Sequence, residues 1–474
     1  MGMHDMSRRS KAEYIKVRRE RYEVANSAKK SRIIDEVMET TGFTRKYVIN
    51  LLNGKIECRE RKGRGKTYDD GTRPVLAAIW REAGCPCTPY FKAEIERWVD
   101  EYEQYVANIA PTVKSAILAM SDSTMGRMLK GLLRIKPGYT RCNSRSGRNN
   151  PLKAAIPCHS GEEIMACLVP PGDVQVDTFA LGGGVSADNF FWILTATDRK
   201  TQWVELSPAW NRGQHATLQA FQRIDRRFPF KMKAIHPDNG GEILNHHLMA
   251  YFAKKKDAPY VWRSRPRKSN DNAHVEQKNG SVGRQLFGEV RLDRPELEKD
   301  LVELCEMWSD FTNYFRPSKM LIGKTKRVDG KGFKCIYDTP GTPYQRVLDD
   351  PDVPEEAKDA LRQKRARLTG IELAHRVKKK LARIKRMQER HSRAKVDHDE
   401  DILGSLPTKD LSGGAGPGSA LRAAPSGAPR PRPSRKRTPK VNRDWNKYVQ
   451  EKTLSVAYLA NQKPPAYLSG VVSI

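Results

Sequence analysis

Three carboxylates stand in surroundings that call for a reason. Asp177 lies inside an apolar run, Val174-Gln-Val-Asp177-Thr-Phe179. A carboxylate among such neighbours is costly unless it is paired or binds a metal. Asp238 follows a second apolar stretch, in Ile235-His-Pro-Asp238-Asn-Gly-Gly-Glu242, where the glycines let the backbone turn sharply and leave room for a bulky substrate. Glu276 stands in Asn270-Asp-Asn-Ala-His-Val-Glu276-Gln-Lys-Asn279. Brought together, the three would repel one another without cations. An all-oxygen site of this kind suits Mg2+, with Mn2+ as a substitute. Two such ions about 4 Å apart activate a water or 3′-hydroxyl nucleophile and stabilise the leaving oxygen in phosphoryl transfer. Asp177, Asp238 and Glu276 are therefore the expected catalytic residues and the expected ligands of two metal ions.

The elements around them read as alternating strand and helix. Asp173–Ala180 is an expected strand, followed by strands over Asn189–Thr197 and Thr201–Leu206. The links Gly182-Gly-Gly184 and Asp198-Arg-Lys200 are short enough for an antiparallel meander. A helix is expected over Gln214–Arg227, a fourth strand over Lys231–His236, a helix through Leu244, Leu248 and Tyr251, and a fifth strand over Ala258–Trp262. Helices then open near Asn272 and over Pro295–Tyr314. In a mixed sheet with strand four beside strand one, Asp238 would adjoin Asp177. The helix after strand five would lean Glu276 over the same edge.

The segment 172–290 resembles the integrase catalytic core of the ribonuclease H-like superfamily, found in bacterial insertion-sequence transposases and retroviral integrases. That family pattern is an aspartate in strand one, a second in His/Ser-Asp-Asn-Gly, and a glutamate on a helix roughly 35 residues on. Here 37 residues lie between Asp238 and Glu276. Asn313-Tyr-Phe-Arg-Pro317 is similar to the Tyr-Asn…Arg-Pro segment that follows the family's core. The resemblance implies an integrase core over 171–317 that nicks the ends of a mobile element and joins their 3′-hydroxyls to target DNA, without a covalent protein intermediate. It also implies a dimer or higher homo-oligomer on DNA. Asn279 falls at a family position that contacts DNA, and Lys278 and Arg284 are candidates for the lysine the family places beyond its glutamate. The His-His-Cys-Cys zinc module of retroviral integrases is absent: before Cys85 there are only His4 and Cys58.

Charge points the same way. The 474 residues carry 86 Lys and Arg against 56 Asp and Glu, a net charge of +30. A single domain gains nothing from that self-repulsion, whereas a polyanion such as nucleic acid relieves it. Residues 1–72 read as a DNA-binding helix-turn-helix. Ile33, Ile34, Val37 and Met38 form one stripe, Thr41-Gly-Phe43 the turn, and Thr44 the cap of a helix bearing Arg45, Lys46 and Asn50. Residues 73–135 suggest a second such unit, with helices over Val113–Met120 and Thr124–Leu133, Asp122 or Ser123 as cap, and Arg127 and Lys130 outward.

Beyond these, 136–170 is a basic linker and 318–352 a small β-rich module. Residues 353–396 are a basic helix in which Lys379 and Arg383 would meet DNA. Residues 397–440 are a disordered linker, and 441–474 a tail that docks on a partner or elsewhere on the chain. His236 and His274 are expected in supporting roles, with proton transfer as the alternative. Asp198 is expected as a turn residue, Glu242 and Asp271 as solvated or capping residues, and Trp192 and Trp203 as sheet-packing residues. The irregularly spaced cysteines read as reduced thiols. No apolar run reaches membrane-spanning length, and the charged N-terminus lacks a secretion signal. The expected location is the cytoplasm of a bacterium, on the nucleoid.

The fold class expected is thus multidomain: N-terminal helix-turn-helix units, an α/β ribonuclease H-like core with a mixed five-stranded sheet, and a basic helical and disordered C-terminal region. The function expected is that of a DDE transposase. A catalytically inactive, domesticated DNA-binding regulator and a ribonuclease H-like nuclease are the alternatives.

Overall fold

The structure, a computed structural model, describes residues 6–57, 68, 71–132, 152–159, 169–184, 189–237, 243–265, 273–327, 332–404 and 445–469. Asp238 and Glu242, Asp271, the basic stretch Arg59–Lys66, most of the linker 136–170, and 405–440 lie outside them. The chain is mixed α/β, and no described helix is long and apolar enough to cross a membrane. It divides into two compact units, Met1–Asp69 and Asp70–Ile474.

The first unit is three helices, α1 (Arg8–Glu23), α2 (Ser27–Thr41) and α3 (Arg45–Leu52). Ile15, Tyr22, Ile34, Val37, Val48, Leu51 and Leu52 close one core. Gly42 ends α2 at φ 70°, a conformation open to glycine. Lys11 Nζ donates to Thr41 O at 2.6 Å, and Arg19 Nη2 to Leu51 O at 2.6 Å. Two cations thus meet the negative ends of α2 and α3. Thr44 holds the cap position of α3, but its side chain makes no capping bond.

The second unit opens with α4 (Thr72–Glu82), α5 (Thr88–Ala93), α6 (Ile95–Tyr105), α7 (Pro111–Ala119) and α8 (Asp122–Leu129). The cap of α8 is Ser121, whose Oγ accepts from Thr124 N at 3.3 Å, not Asp122 or Ser123. The helix stops at Leu129, short of the expected Leu133, just before Gly131 at φ 87°. A short α9 (Leu152–Ala155) precedes the sheet.

The sheet follows the expected order of elements. β1 (Asp173–Ala180), β2 (Phe191–Asp198) and β3 (Val204–Trp210) form the antiparallel meander. After α10 (Gln214–Arg227) comes β4 (Ala234–Pro237), parallel to β1. After α11 (His246–Ala253) comes β5 (Tyr260–Val261), parallel to β4. The strand order is β3-β2-β1-β4-β5, which puts β1 at the centre. The helix after β5 is α12 (Ala273–Lys278). It runs through a π-helical turn (Asn279–Arg284) into α13 (Gln285–Phe287).

A long helix, α14 (Glu298–Phe315), closes the β3 edge. Asn313 Oδ1 accepts from Val204 N at 2.9 Å and its Nδ2 donates to Val204 O at 2.8 Å, while Ser309 Oγ accepts from Leu206 N at 3.1 Å. Side chains of α14 thus supply the partners that a further strand would, and blunt an otherwise open edge. Tyr314 packs edge-on against the buried Trp203, at 5.6 Å between ring centres. The Asn313–Pro317 segment therefore seals the sheet.

Beyond α14, β6 (Leu321–Lys326) and β7 (Phe333–Tyr337) make a two-stranded ribbon, followed by α15 (Pro343–Asp349). The basic region is two helices, α16 (Glu355–Ala366) and α17 (Gly370–Gly404). The apolar stripe of α17 is docked on the same unit, with Leu373, Val377 and Ile384 buried. The C-terminal tail contains α18 (Trp445–Ala460) and α19 (Ala466–Ser469). It docks on the chain's own β5 side. Gln462 Oε1 accepts from Val261 N at 2.7 Å, Tyr458 donates to Pro259 O, and Leu468 is buried with Val169, Ala234, Tyr260 and Trp262.

Candidate active site

The site lies along one face of β1. Side chains alternate across a strand, so Asp173, Gln175 and Asp177 share a face while Val174 and Val176 enter the opposite one. Asp177 is partly buried. Its Oδ1 accepts from Thr178 N at 2.7 Å and its Oδ2 from Asn279 Nδ2 at 2.8 Å. Gln175 Oε1 accepts from Val275 N at 3.2 Å. Two consecutive same-face residues of β1 therefore hold two points one helical turn apart, Val275 and Asn279. Glu276 lies between them, exposed, three residues before Asn279 and on the adjoining helix face.

Strand β4 reaches the same place from the other side. Its parallel register with β1 ends at Val176 opposite Pro237. The residues that come next in the sequence are Asp177 and Asp238. Asp238 lies outside the described residues. Among the described residues no three His, Cys, Asp or Glu side chains converge as a metal site.

Two histidines brace this arrangement. Gln175 Nε2 faces His236 Nδ1 at 3.4 Å, and His236 Nε2 lies 2.8 Å from Ser264 Oγ. Since Gln175 Oε1 is taken by Val275 N, its amide must donate to Nδ1. The His236 proton is then on Nε2 and points at Ser264. Burial, and then the Arg199 guanidinium, hold this imidazole neutral well below its usual range. It stacks on Trp262 at 3.5 Å between ring centres. His274 sits in a similar relay: Gln202 Nε2 donates to Arg199 O at 2.9 Å and lies 3.3 Å from His274 Nδ1. Burial pushes the His274 imidazole down to about 4, with Arg199 and Lys278 adding to it. Nδ1 of His236 joins β4 to β1, and Nδ1 of His274 joins α12 to the β2–β3 turn.

Behind the site is a closed ionic layer. Asp173 and Arg199 are fully buried, with Arg199 Nη1 3.6 Å from Asp173 Oδ2, and Tyr467 donates to that same oxygen at 2.7 Å. Asp198 accepts from Gly172 N at 2.8 Å and from Thr201 N and Oγ1 at 2.7 Å each. It holds the β2–β3 turn, as its place in the sequence suggests. Burial nonetheless raises its carboxyl to about 6.

The remaining candidates are scattered. Arg45 and Lys46 are exposed on α3, Arg45 paired with Asp35, and Asn50 is half-buried. Arg127 and Lys130 are exposed at the end of α8. Lys278 turns inward: it is buried, and burial, aided by Arg346 and Arg316, pulls its ammonium down to about 7. Arg284 is partly buried on the π-turn. Lys379 and Arg383 line a groove of about 590 Å3 between α14 and α17, with Arg376 and Arg386 beside them and Glu303 and Asp310 opposite. Lys380 and Arg383 are tied to Asp300, at 3.0 and 3.5 Å, so part of the basic run serves to dock the helix. Trp192 lies under the Arg212 guanidinium, 4.4 Å from its ring centre. Sequence reading missed Gln175 and Gln202, the partner that Tyr467 of the docking tail finds in Asp173, and the tight fit at Gly283, where an added Cβ would overlap the Phe179 ring.

No protein-family model matches the chain. It is similar to the uncharacterized protein y4rM of Sinorhizobium fredii, 28% identical over 343 residues that span 72% of this chain and 96% of that protein.

Proposed function

We propose that the chain is a transposase with a ribonuclease H-like, integrase-type core, flanked by N-terminal helix-turn-helix units, that cuts and joins DNA at the ends of a mobile element. One observation carries the reading most. The β1–β4 register runs out at Val176 and Pro237, one residue before two aspartates, while Asn279 ties the Glu276 helix to the first of them. Strand transfer needs oxygen ligands gathered from distant parts of the chain, and this topology offers a means of gathering them.

The donor set fits Mg2+: carboxylates alone, one of them partly buried on a central strand. Asp177, Asp238 and Glu276 would hold it, and the bound metal would supply nucleophile activation and leaving-group stabilisation for phosphoryl transfer. The chain's own residues do the rest. Asn279 fixes the carboxylate plane of Asp177. Gln175 fixes the start of α12. His236 and His274, held neutral, add no positive charge that would compete with a cation for the carboxylates. The net charge of +30 draws the DNA in.

The test uses purified full-length protein, Mg2+, a labelled duplex taken from the DNA flanking the gene, and a supercoiled target plasmid. Joined products are expected with the wild type and absent with Asp238→Asn. DNA binding without any joined product would favour the regulatory alternative. Cleavage restricted to RNA–DNA hybrids would favour the nuclease.

A further inference from the structure

The β6–β7 ribbon is bare on both faces. Ile322, Phe333, Ile336 and Tyr337 are 44, 57, 40 and 53% exposed. A two-stranded hairpin without a packed face is marginal in water. This one is held from its base. Met320 N donates to Asp338 Oδ1 at 2.6 Å, Arg346 Nη2 to Asp338 Oδ2 at 2.9 Å, and Ser318 N to Gly341 O at 3.0 Å. The base is pinned, and the apolar side chains beyond it have no described cover.

Charge says what covers them. Residues 321–327 and 332–337 carry Lys324, Lys326, Arg327 and Lys334 and no carboxylate. The cations are interleaved with the apolar residues: Thr325 pairs with Lys334, Lys326 with Phe333, and Lys324 with Cys335. A second copy of the ribbon could add to either open edge, but it would bring the same unbalanced cations, and lysines on an edge oppose such pairing. A polyanion with a groove suits the surface better. The major groove of B-DNA admits a two-stranded β-ribbon. Lysines on its flanks reach phosphates, and apolar side chains reach base edges or thymine methyl groups.

We propose that this ribbon is a DNA-contacting arm that lies in a duplex groove, with the face of Phe333, Tyr337, Lys324 and Lys326 turned into the groove and Lys334, on the other face, adding to the positive charge beside the phosphates. This rests on the nucleic-acid part of the reading above and not on its metal chemistry.

The experiment measures binding of the whole protein, in EDTA, to a fluorescent duplex of about 30 base pairs, between about 50 and about 200 mM salt. The triple variant Lys324→Gln, Lys326→Gln, Lys334→Gln should bind at least about tenfold more weakly, with a salt slope shallower by about 2 to 3. A control, Lys254→Gln, Lys256→Gln, Lys299→Gln, removes the same charge from exposed positions elsewhere and should bind within about twofold of wild type. Wild-type binding by the ribbon variant, or equal weakening in the control, overturns the proposal. So does a change in sedimenting mass of Phe333→Ser, Tyr337→Ser with unaltered DNA affinity, which would make the ribbon a contact between copies. Failure of the wild type to bind any duplex would remove the transposase reading too, a result distinct from intact binding by the ribbon variant.

Discussion

Asn279 Nδ2 donates to Asp177 Oδ2 at 2.8 Å, and so joins the helix of Glu276 to the centre of the sheet. Asn279→Ala removes that tie, one of the bonds that orient the carboxylate. Strand transfer should fall about 10- to 100-fold, the range for groups that orient a ligand. The magnesium concentration giving half-maximal activity should rise with it. An unchanged magnesium response would refute this role.

Asp177→Asn and Glu276→Gln each take one charged oxygen from the proposed ligand set. Each should lower joining on the order of 10³-fold while leaving duplex binding in EDTA unchanged. Equal loss of binding and joining would mean these residues act on the fold. Titrating the protein with Mn2+ and following heat or paramagnetic relaxation gives a readout independent of turnover.

Gly283 lies against Phe179, two residues beyond Asp177 on β1. Gly283→Ala forces a methyl group into a buried aromatic ring. It should cost about 1 to 3 kcal/mol in urea unfolding and should also lower strand transfer, because relief of the overlap lifts α12 from the sheet. Gly280→Ala, with open space around its Cβ, should leave stability within about 1 kcal/mol.

Tyr467 reaches from the C-terminal tail to Asp173, whose other oxygen, Oδ1, has no hydrogen-bond partner among the described residues. Tyr467→Phe leaves a buried carboxylate short of a donor, at about 1 to 3 kcal/mol. Chemical unfolding of the variant measures the loss. Enhanced proteolysis confined to residues beyond 444 would show that the tail detaches first.

Asp198 sets a pH dependence. Its folded carboxyl is raised to about 6 against a usual 3.8, chiefly by burial. A raised folded value means that its contribution is complete below about 3.8 and is lost as pH rises through about 6, up to about 3 kcal/mol. The stability difference between wild type and Asp198→Asn should therefore shrink by that order between pH 4 and pH 7. A pH-independent difference would mean that the bonds from Gly172 and Thr201 hold the carboxyl near its ordinary value.

Much of this arrangement was readable in the residues. The alternation in Asp173-Val-Gln-Val-Asp177 marks a strand with one polar face, and β1 matches its expected bounds. The other strands shifted by a few residues: β3 runs on to Trp210 because it stays paired with β2 as far as Phe191, and β5 shrinks to Tyr260 and Val261 where Tyr458 and Gln462 of the tail bond to the backbone beside it. Gln175 could have been suspected from its place two residues before Asp177. That Tyr467 belongs to a docking tail was expected, but its partner Asp173 was not legible, because nothing local signals a contact across 294 residues of chain. The inward turn of Lys278 was equally hidden. A lysine two residues from a glutamate on a helix reads as solvated, and only its burial in the folded chain says otherwise.

The π-turn at Asn279–Arg284 has a consequence for heredity. Such a turn is an α-helix carrying one residue too many. Deleting one codon within it would restore ordinary winding and leave the helix on either side in nearly its present orientation, whereas deleting the codon of Gln277, in the regular winding of α12, would rotate Glu276 by about 100° relative to Asn279 and α13. Loss of three nucleotides, with the reading frame intact, should therefore spare the proposed strand transfer in the first place and abolish it in the second.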